Sequence, residues 1–244
     1  MERGDGESAC SPGGRVMELD GNGPAASTST RMRRAFLFDL DGTLIDSERE
    51  NAAAIDAVLA ARGRPLTDED KAFVVGHGWR EIHEHLAAPG GVDLSLAELM
   101  EAAADEKERL IARGGLLVLP GSVGFVRRAA TFGRCSVVSG SSRREIAWAL
   151  RFLGLDDIVR WFVGAEDVTA GKPSPEGYLA AARRLDVDPS ACWVFEDSSA
   201  GIAAARAAGM RCVALAAGNF LGQDQSSADL CVETFEALGD RLWE

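Results

Sequence analysis

The sequence predicts an α/β fold: a parallel sheet covered by helices on both faces, with a helical bundle inserted after the first strand. Three observations predict it. Short apolar runs each stop abruptly at small or polar residues. Stretches of helical pattern alternate with those runs. One interval, between the first run and the next, is roughly ninety residues long, far beyond an ordinary crossover.

Taken in order, Ala35-Phe36-Leu37-Phe38 stops at Asp39-Leu40-Asp41-Gly42-Thr43 and reads as a buried strand ending in a polar turn. Runs of the same form are Cys135–Val138 before Ser139-Gly140, Cys192–Phe195 before Glu196-Asp197, and Cys212–Leu215 before Ala216-Ala217-Gly218, with a weaker Trp161–Val163 before Gly164. Helices are expected between them near 123–131, 143–152, 175–185 and 199–208. The long interval reads as helical near 48–61, 68–75, 80–87 and 96–113. A bundle leaving directly after the first strand hangs over that strand's C-terminal end, where open α/β sheets bind ligands. The expected organisation is therefore a tail at 1–31, a core from 32–46 and 119–244, and a helical cap at 47–118.

Composition narrows the function classes. Of 244 residues, 46% are apolar and 26% charged, the balance of a soluble globular protein. No apolar run approaches the ~18 residues of a membrane helix. The net charge of -12, from 38 acids and 26 bases, repels nucleic acid, and no basic stripe overrides it. A phosphorylated ligand on such a surface requires local cations. The five cysteines (Cys10, Cys135, Cys192, Cys212, Cys231) form no C-x-x-C pair, which predicts a reducing compartment, the cytoplasm. Residues 1–31 are rich in Gly, Ser, Thr and Pro and read as a disordered tail; Met17 and Met32 are alternative starts of translation. Nothing in the pattern suggests an extended interface, so a monomer is expected.

The chemistry lies at the strand ends. Asp39 and Asp41 end one strand, Ser139 another, and Glu196 with Asp197 a third, while Lys172 follows the weak strand in Gly171-Lys172-Pro173-Ser174-Pro175. In a parallel sheet all these ends share one edge. Carboxylates crowded there raise one another's pKa and call for a cation; an all-oxygen set with waters suits Mg²⁺. A hard divalent ion beside a lysine makes a site for a phosphate dianion, with Ser139 and backbone N–H groups as donors. One aspartate is then free to attack phosphorus and another to handle the proton. Extended spacing puts Asp39 and Asp41 on one face, and Gly42 permits a sharp bend.

These residues carry a resemblance. Phe38-Asp39-Leu40-Asp41-Gly42-Thr43-Leu44 resembles the first motif of the haloacid dehalogenase (HAD) phosphatase superfamily, Ser139-Gly140-Ser141 the second, Lys172-Pro173 the third, and Glu196-Asp197-Ser198-Ser199-Ala200-Gly201 the fourth. The order agrees, and the likeness runs from Arg33 to the C-terminus. The insertion is similar to the α-helical cap of the β-phosphoglucomutase-like and phosphoglycolate-phosphatase-like subgroup. The resemblance implies a Rossmann-like core and a phosphatase of small monoesters. It implies that Asp39 is the nucleophile that becomes an aspartyl phosphate, and that Asp41 protonates the leaving oxygen and then activates water. It assigns Ser139, Gly140 and Lys172 to the phosphoryl group. It assigns Mg²⁺ to the Asp39 side chain, the Asp41 carbonyl and Asp197, with Glu196 close by.

In the cap, Gly76-His77-Gly78-Trp79-Arg80 suits a loop dipping into the site, so His77 or Arg80 is expected to contact substrate; a helix-capping turn is the other reading. His83 and His85, two apart on a helix, face different ways and predict no metal site. A phosphosugar mutase is the alternative function. Relatives resembling β-phosphoglucomutase carry a histidine twelve residues after the nucleophile, where this chain has Asn51. A dehalogenase lacks the second aspartate, so Asp41 argues against one. A signalling receiver domain has no place for a helical lid, and a non-catalytic metabolite binder would be expected to have lost one of these polar groups. The expected partner is a small phosphorylated metabolite: a sugar phosphate first, then phosphoglycolate, then a nucleotide-like monoester such as FMN.

Overall fold

The apolar runs become the strands of one sheet. The computed structural model describes residues 34–75, 77–87, 92–219, 222–239 and 242; the expected tail at 1–31 lies outside the described residues. Along the chain, β1 (Ala35–Phe38) is followed by β2 (Ile45–Asp46) and four helices, α1 (Glu48–Ala60), α2 (Asp68–Val74), α3 (Trp79–Leu86) and α4 (Leu96–Gly114). The chain returns through β3 (Leu117–Val118), α5 (Ser122–Ala129), β4 (Arg134–Val138), α6 (Arg143–Phe152), β5 (Phe162–Val163) and α7 (Glu176–Leu185). It ends with β6 (Cys192–Glu196), α8 (Ser199–Ala207), β7 (Arg211–Leu215), β8 (Leu230–Val232) and the short α9 (Phe235–Leu238).

Six strands pair in the order β5-β4-β1-β6-β7-β8, every pair parallel. β1 lies in the middle, with Phe38 level with Val137 on one side and Phe195 on the other. Asp39, Ser139 and Glu196 are thereby brought to one edge. Side chains of β1 alternate between two layers. Phe36 and Phe38 join Phe125, Ile146, Leu150 and Phe235 from α5, α6 and α9. Ala35 and Leu37 join Tyr178, Ala182, Ile202 and Ala205 from α7 and α8. The Phe38 and Phe195 rings stack at 4.8 Å, with Phe125 edge-on to Phe195 at 5.0 Å. Each such ring, fully buried, contributes about 1.5–3 kcal/mol of transfer free energy, so the layer beneath the strand ends is a large part of the core's stabilisation.

Helices α1 to α4 bury a cluster of their own, including Ile55, Leu59, Val74, Ile82, Leu86 and Leu99. Their termini are capped in the sequence: Thr67 with Asp70, and Ser95 with Glu98, form reciprocal capping boxes. The bundle leaves and rejoins the chain through the antiparallel ribbon β2–β3, where Ile45 faces Val118 and Asp46 faces Leu117. That ribbon and the edge strand β8 are too short for a period-two pattern, and neither was expected from the sequence. No helix among the described residues is long and apolar enough to cross a membrane.

Candidate active site

Where β1 ends, the backbone N–H of Asp39 still bonds the Phe195 carbonyl at 3.0 Å, so the nucleophile candidate extends the sheet by one residue. The chain then turns. Gly42 takes a positive φ of 83°, and a Cβ there would collide with the Asp197 carboxylate. Only glycine lets the first loop pass so close to the fourth.

Asp39, Glu196 and Asp197 place carboxylate oxygens within 4.8 Å of one another. Burial, then repulsion among the three, pushes Asp39 and Asp197 above the usual carboxylate range, although Lys172 opposes the shift. Such a set cannot remain fully ionised alone, and its all-oxygen donors fit a hard divalent cation. The Lys172 ammonium donates to Asp39 Oδ1 and Glu196 Oε1. Burial disfavours its charge, but the two carboxylates outweigh burial and hold its pKa above the ordinary value.

Glu196 is fully buried and heavily engaged. Its Oε1 also accepts from the Tyr178 hydroxyl at 2.7 Å, and its Oε2 accepts from Asp197 N, Ser198 N and Ser198 Oγ at 3.2, 3.2 and 2.9 Å. With both oxygens so occupied, Glu196 is better placed to orient Lys172 and the Asp197 loop than to give a ligand outright. Gln225, buried, donates to the Asp197 carbonyl at 2.7 Å and the Leu215 carbonyl at 3.1 Å, and Thr43 Oγ1 reaches Asp197 Oδ1 at 3.4 Å.

Asp41 points to the other side of the same cavity. Ser141 Oγ donates to its Oδ2 at 2.8 Å, and Ser47 Oγ donates to its Oδ1. Ser47 stands at the N-cap position of α1 yet makes no capping bond; its hydroxyl serves Asp41 instead. Lys107 of α4 approaches Asp41 Oδ1 at 4.0 Å and Glu145 Oε1 at 3.6 Å. Lys107 is buried, which alone would lower its pKa, but Asp41, Glu145 and Glu48 hold it raised.

The cavity enclosed is about 260 Å³. Its floor is Asp39, Asp41, Ser139, Gly140, Lys172 and Asp197; its roof is Glu48, Asn51, His77 and Trp79, with Asn219 and Gln223 at one side. Ser139 Oγ accepts from Ser141 N at 3.0 Å, which tightens the loop after β4. Glu48 and Asn51, three apart at the start of α1, share the face turned to the cavity, and Ser47 precedes them at the N-cap. His77 stacks on Phe73 at 4.0 Å and sets Nδ1 2.7 Å from the Phe73 carbonyl.

Arg80 is not part of this lining and is exposed. The helix begins at Trp79, so Trp79 and Ile82 face the cavity while Arg80 is turned about 100° away. His83 and His85 bond the Leu94 carbonyl and Asp70 within the bundle, and among the described residues the acidic trio is the one candidate metal cluster. Sequence reasoning missed Ser47, Lys107, Ser141, Glu145, Tyr178 and Gln225. Ser141 alone carried a signal, its place in the second motif.

Comparison with known proteins identifies the family. The family model described as haloacid dehalogenase-like hydrolase matches residues 33–209. Protein CbbY of Rhodobacter capsulatus is 32% identical over 206 residues, 80% of this chain and 91% of that protein. Validoxylamine A 7'-phosphate phosphatase of Streptomyces hygroscopicus subsp. limoneus is 36% identical over 188 residues, 75% of this chain and 86% of that protein. The crystal structure of CbbY from Rhodobacter sphaeroides in complex with phosphate superposes with a TM-score of 0.74 at 28% identity, covering 84% of this chain and 96% of that one. With the four motifs meeting at the C-terminal edge of the sheet, the chain belongs to the haloacid dehalogenase-like hydrolase family.

Proposed function

We propose that the chain is a Mg²⁺-dependent phosphatase that hydrolyses small phosphate monoesters through an aspartyl phosphate on Asp39. The observation that carries the reading is the meeting of Asp39, Asp41, Lys172 and Asp197 in one cavity below the inserted helices. Its relatives include a phosphatase of a phosphorylated metabolite. The segment 47–118 acts as the cap, over a core of 32–46 and 119–244.

Asp39, Asp197 and the Asp41 carbonyl would hold the Mg²⁺, with Glu196 beside them. Bound there, the ion supplies Lewis-acid charge neutralisation at the phosphoryl oxygens. Lys172, Ser139 and the Gly140 backbone bind the phosphoryl group. A carboxylate oxygen of Asp39 bonds to phosphorus while the bond to the leaving oxygen breaks, and the proton on Asp41 passes to that oxygen. A water oxygen then bonds to phosphorus, the bond to Asp39 breaks, and Asp41 takes the water's proton.

Asn51, His77 and Trp79 face the non-phosphate part of the substrate. An aromatic plate beside amide and imidazole donors suits a polyhydroxylated ring, which places sugar phosphates first. The chain works as a monomer in the cytoplasm, where its buried thiols Cys135, Cys192 and Cys212 stay reduced.

The test is phosphate release from a panel of phosphorylated metabolites, with and without Mg²⁺, including β-glucose 1-phosphate. Metal-dependent release from several monoesters is expected. Conversion of β-glucose 1-phosphate to glucose 6-phosphate with a bisphosphate primer, without release, would replace the phosphatase by a mutase.

A further inference from the structure

Asp41 receives its contacts from two sources. Ser141 belongs to the loop after β4, whereas Ser47 and Lys107 belong to the first and last of the inserted helices. The hydroxyls are neutral and rotate; Lys107 brings a fixed charge. Its side chain is only 10% exposed and is held from behind by Glu145 at 3.6 Å. Glu145 is itself immobilised as the third residue of the α6 capping box, where its Oε2 accepts from Ser142 N at 3.0 Å and Ser142 Oγ at 2.7 Å. A continuous chain of contacts therefore runs from the N-terminus of α6 through Glu145 and Lys107 to Asp41.

This chain of contacts crosses between the inserted helices and the sheet layer, and it has a neighbour that does not touch Asp41. Arg144, also on α6, pairs with Asp105 at 2.6 Å and Glu108 at 3.2 Å on α4. Arg144 sits at the solvent rim, with 47% of its side chain exposed. The two sets of ion pairs join the same two helices, so they separate a purely structural role from one exerted through Asp41.

We propose that Lys107 is a positioning residue that sets the Asp41 carboxylate for proton transfer to the leaving oxygen, with Glu145 as its anchor. The inference rests on the phosphatase reading, in which Asp41 gives its proton to the leaving oxygen as the Asp39–phosphorus bond forms. A misplaced carboxylate cannot deliver that proton, and an alkoxide is a poor leaving group without it. A nitrophenolate departs unprotonated, so its loss does not depend on where Asp41 stands. Proton transfer of this kind contributes about 10²–10⁴-fold to a rate.

The experiment compares kcat/KM for glucose 6-phosphate and for p-nitrophenyl phosphate in the wild-type chain and in Lys107→Met, Glu145→Gln and Arg144→Ala. For Lys107→Met we expect a fall of about 100-fold on the alkyl ester and at most about threefold on the aryl ester. Glu145→Gln retains an oxygen for the capping box and should show the same selectivity, in smaller measure. Arg144→Ala should leave both esters unchanged. Equal losses on both esters in Lys107→Met, or a rise in KM alone on both, would overturn the role, because packing or direct phosphate contact would explain them. If Lys107→Met does not fold, Glu145→Gln decides: the absence of a selective loss there overturns the inference. The best alkyl monoester of the metabolite panel replaces glucose 6-phosphate if it is turned over faster, and a wild-type chain that releases phosphate from no ester of that panel with Mg²⁺ would remove the phosphatase reading and this inference with it.

Discussion

Lys172 donates to Oδ1 of Asp39 across 133 positions of sequence. The same ammonium also serves Glu196, so one cation answers two buried carboxylates. The two partners of the first contact should respond differently to substitution. Asp39→Asn is nearly isosteric, relieves crowding among three carboxylates and removes the proposed nucleophile. Turnover should vanish while the unfolding midpoint holds or rises. Lys172→Met leaves two buried charges without their cation, a loss that costs about 3–5 kcal/mol when one partner of a buried pair is removed. Activity and stability should fall together. Phosphate release by Asp39→Asn, in a sample free of wild-type enzyme, would eliminate the covalent route.

Chelation should reduce phosphate release to background, with Mg²⁺ restoring it. Thermal stability gives an independent reading, since a ligand that binds only the folded state at 100 times its Kd adds about 2.7 kcal/mol. Wild-type chain should melt higher with Mg²⁺, and Asp197→Asn should lose that response. Undiminished activity after exhaustive chelation would exclude the metal.

Much of this site was legible because strand ends announce themselves. A run such as Ala35–Phe38 is wholly buried, so its composition is apolar without exception and its end at Asp39 is sharp. Parallel pairing then assigns Ser139 and Glu196 to the same edge with no further information. Lys107 was illegible for the opposite reason. It stands among acidic and alanine residues on an amphipathic helix, where a lysine reads as solvated, and its burial comes from partners distant in sequence, Asp41 and Glu145. Of the two cap residues expected at the substrate, His77 lines the cavity, whereas Arg80, the second residue of α3, is exposed and outside the lining, a difference of helix face that the glycine-flanked segment does not encode. The β2–β3 ribbon, two residues a side, gives no periodicity to detect.

Gly42→Ala should be among the most damaging small substitutions. The new methyl group meets the Asp197 carboxylate, and the positive φ is itself unfavourable for an L-residue by about 1–2 kcal/mol. Relief requires Asp197 to move away from Asp39. We expect the loss of the Mg²⁺-induced rise in melting temperature and at least a tenfold fall in kcat/KM, which for a factor of ten is about 1.4 kcal/mol of transition-state stabilisation. A variant with wild-type kinetics would show that the two loops are free to separate.

The inserted helices carry their own pH-sensitive lock, away from the carboxylate cluster. Asp70 Oδ2 accepts from Thr67 N at 3.0 Å, its Oδ1 lies 2.9 Å from His85 Nε2, and Arg64 stands 4.0 Å away. Burial alone would raise the Asp70 pKa, but the Thr67 and His85 hydrogen bonds and the Arg64 charge together bring it below the ordinary 3.8. The folded state thus binds the proton less tightly than the unfolded chain. Its stabilisation is complete above the unfolded pKa and is lost as pH falls through the lower, folded one. Asp70→Asn should therefore lower stability by about 1 kcal/mol at neutral pH, the usual net worth of one hydrogen bond. From about pH 5 downward the gap to wild type should narrow, and it should close below about pH 4. Urea titrations of both chains across that range measure it, and a gap that widens on acidification would show that Asp70 is not held as the carboxylate.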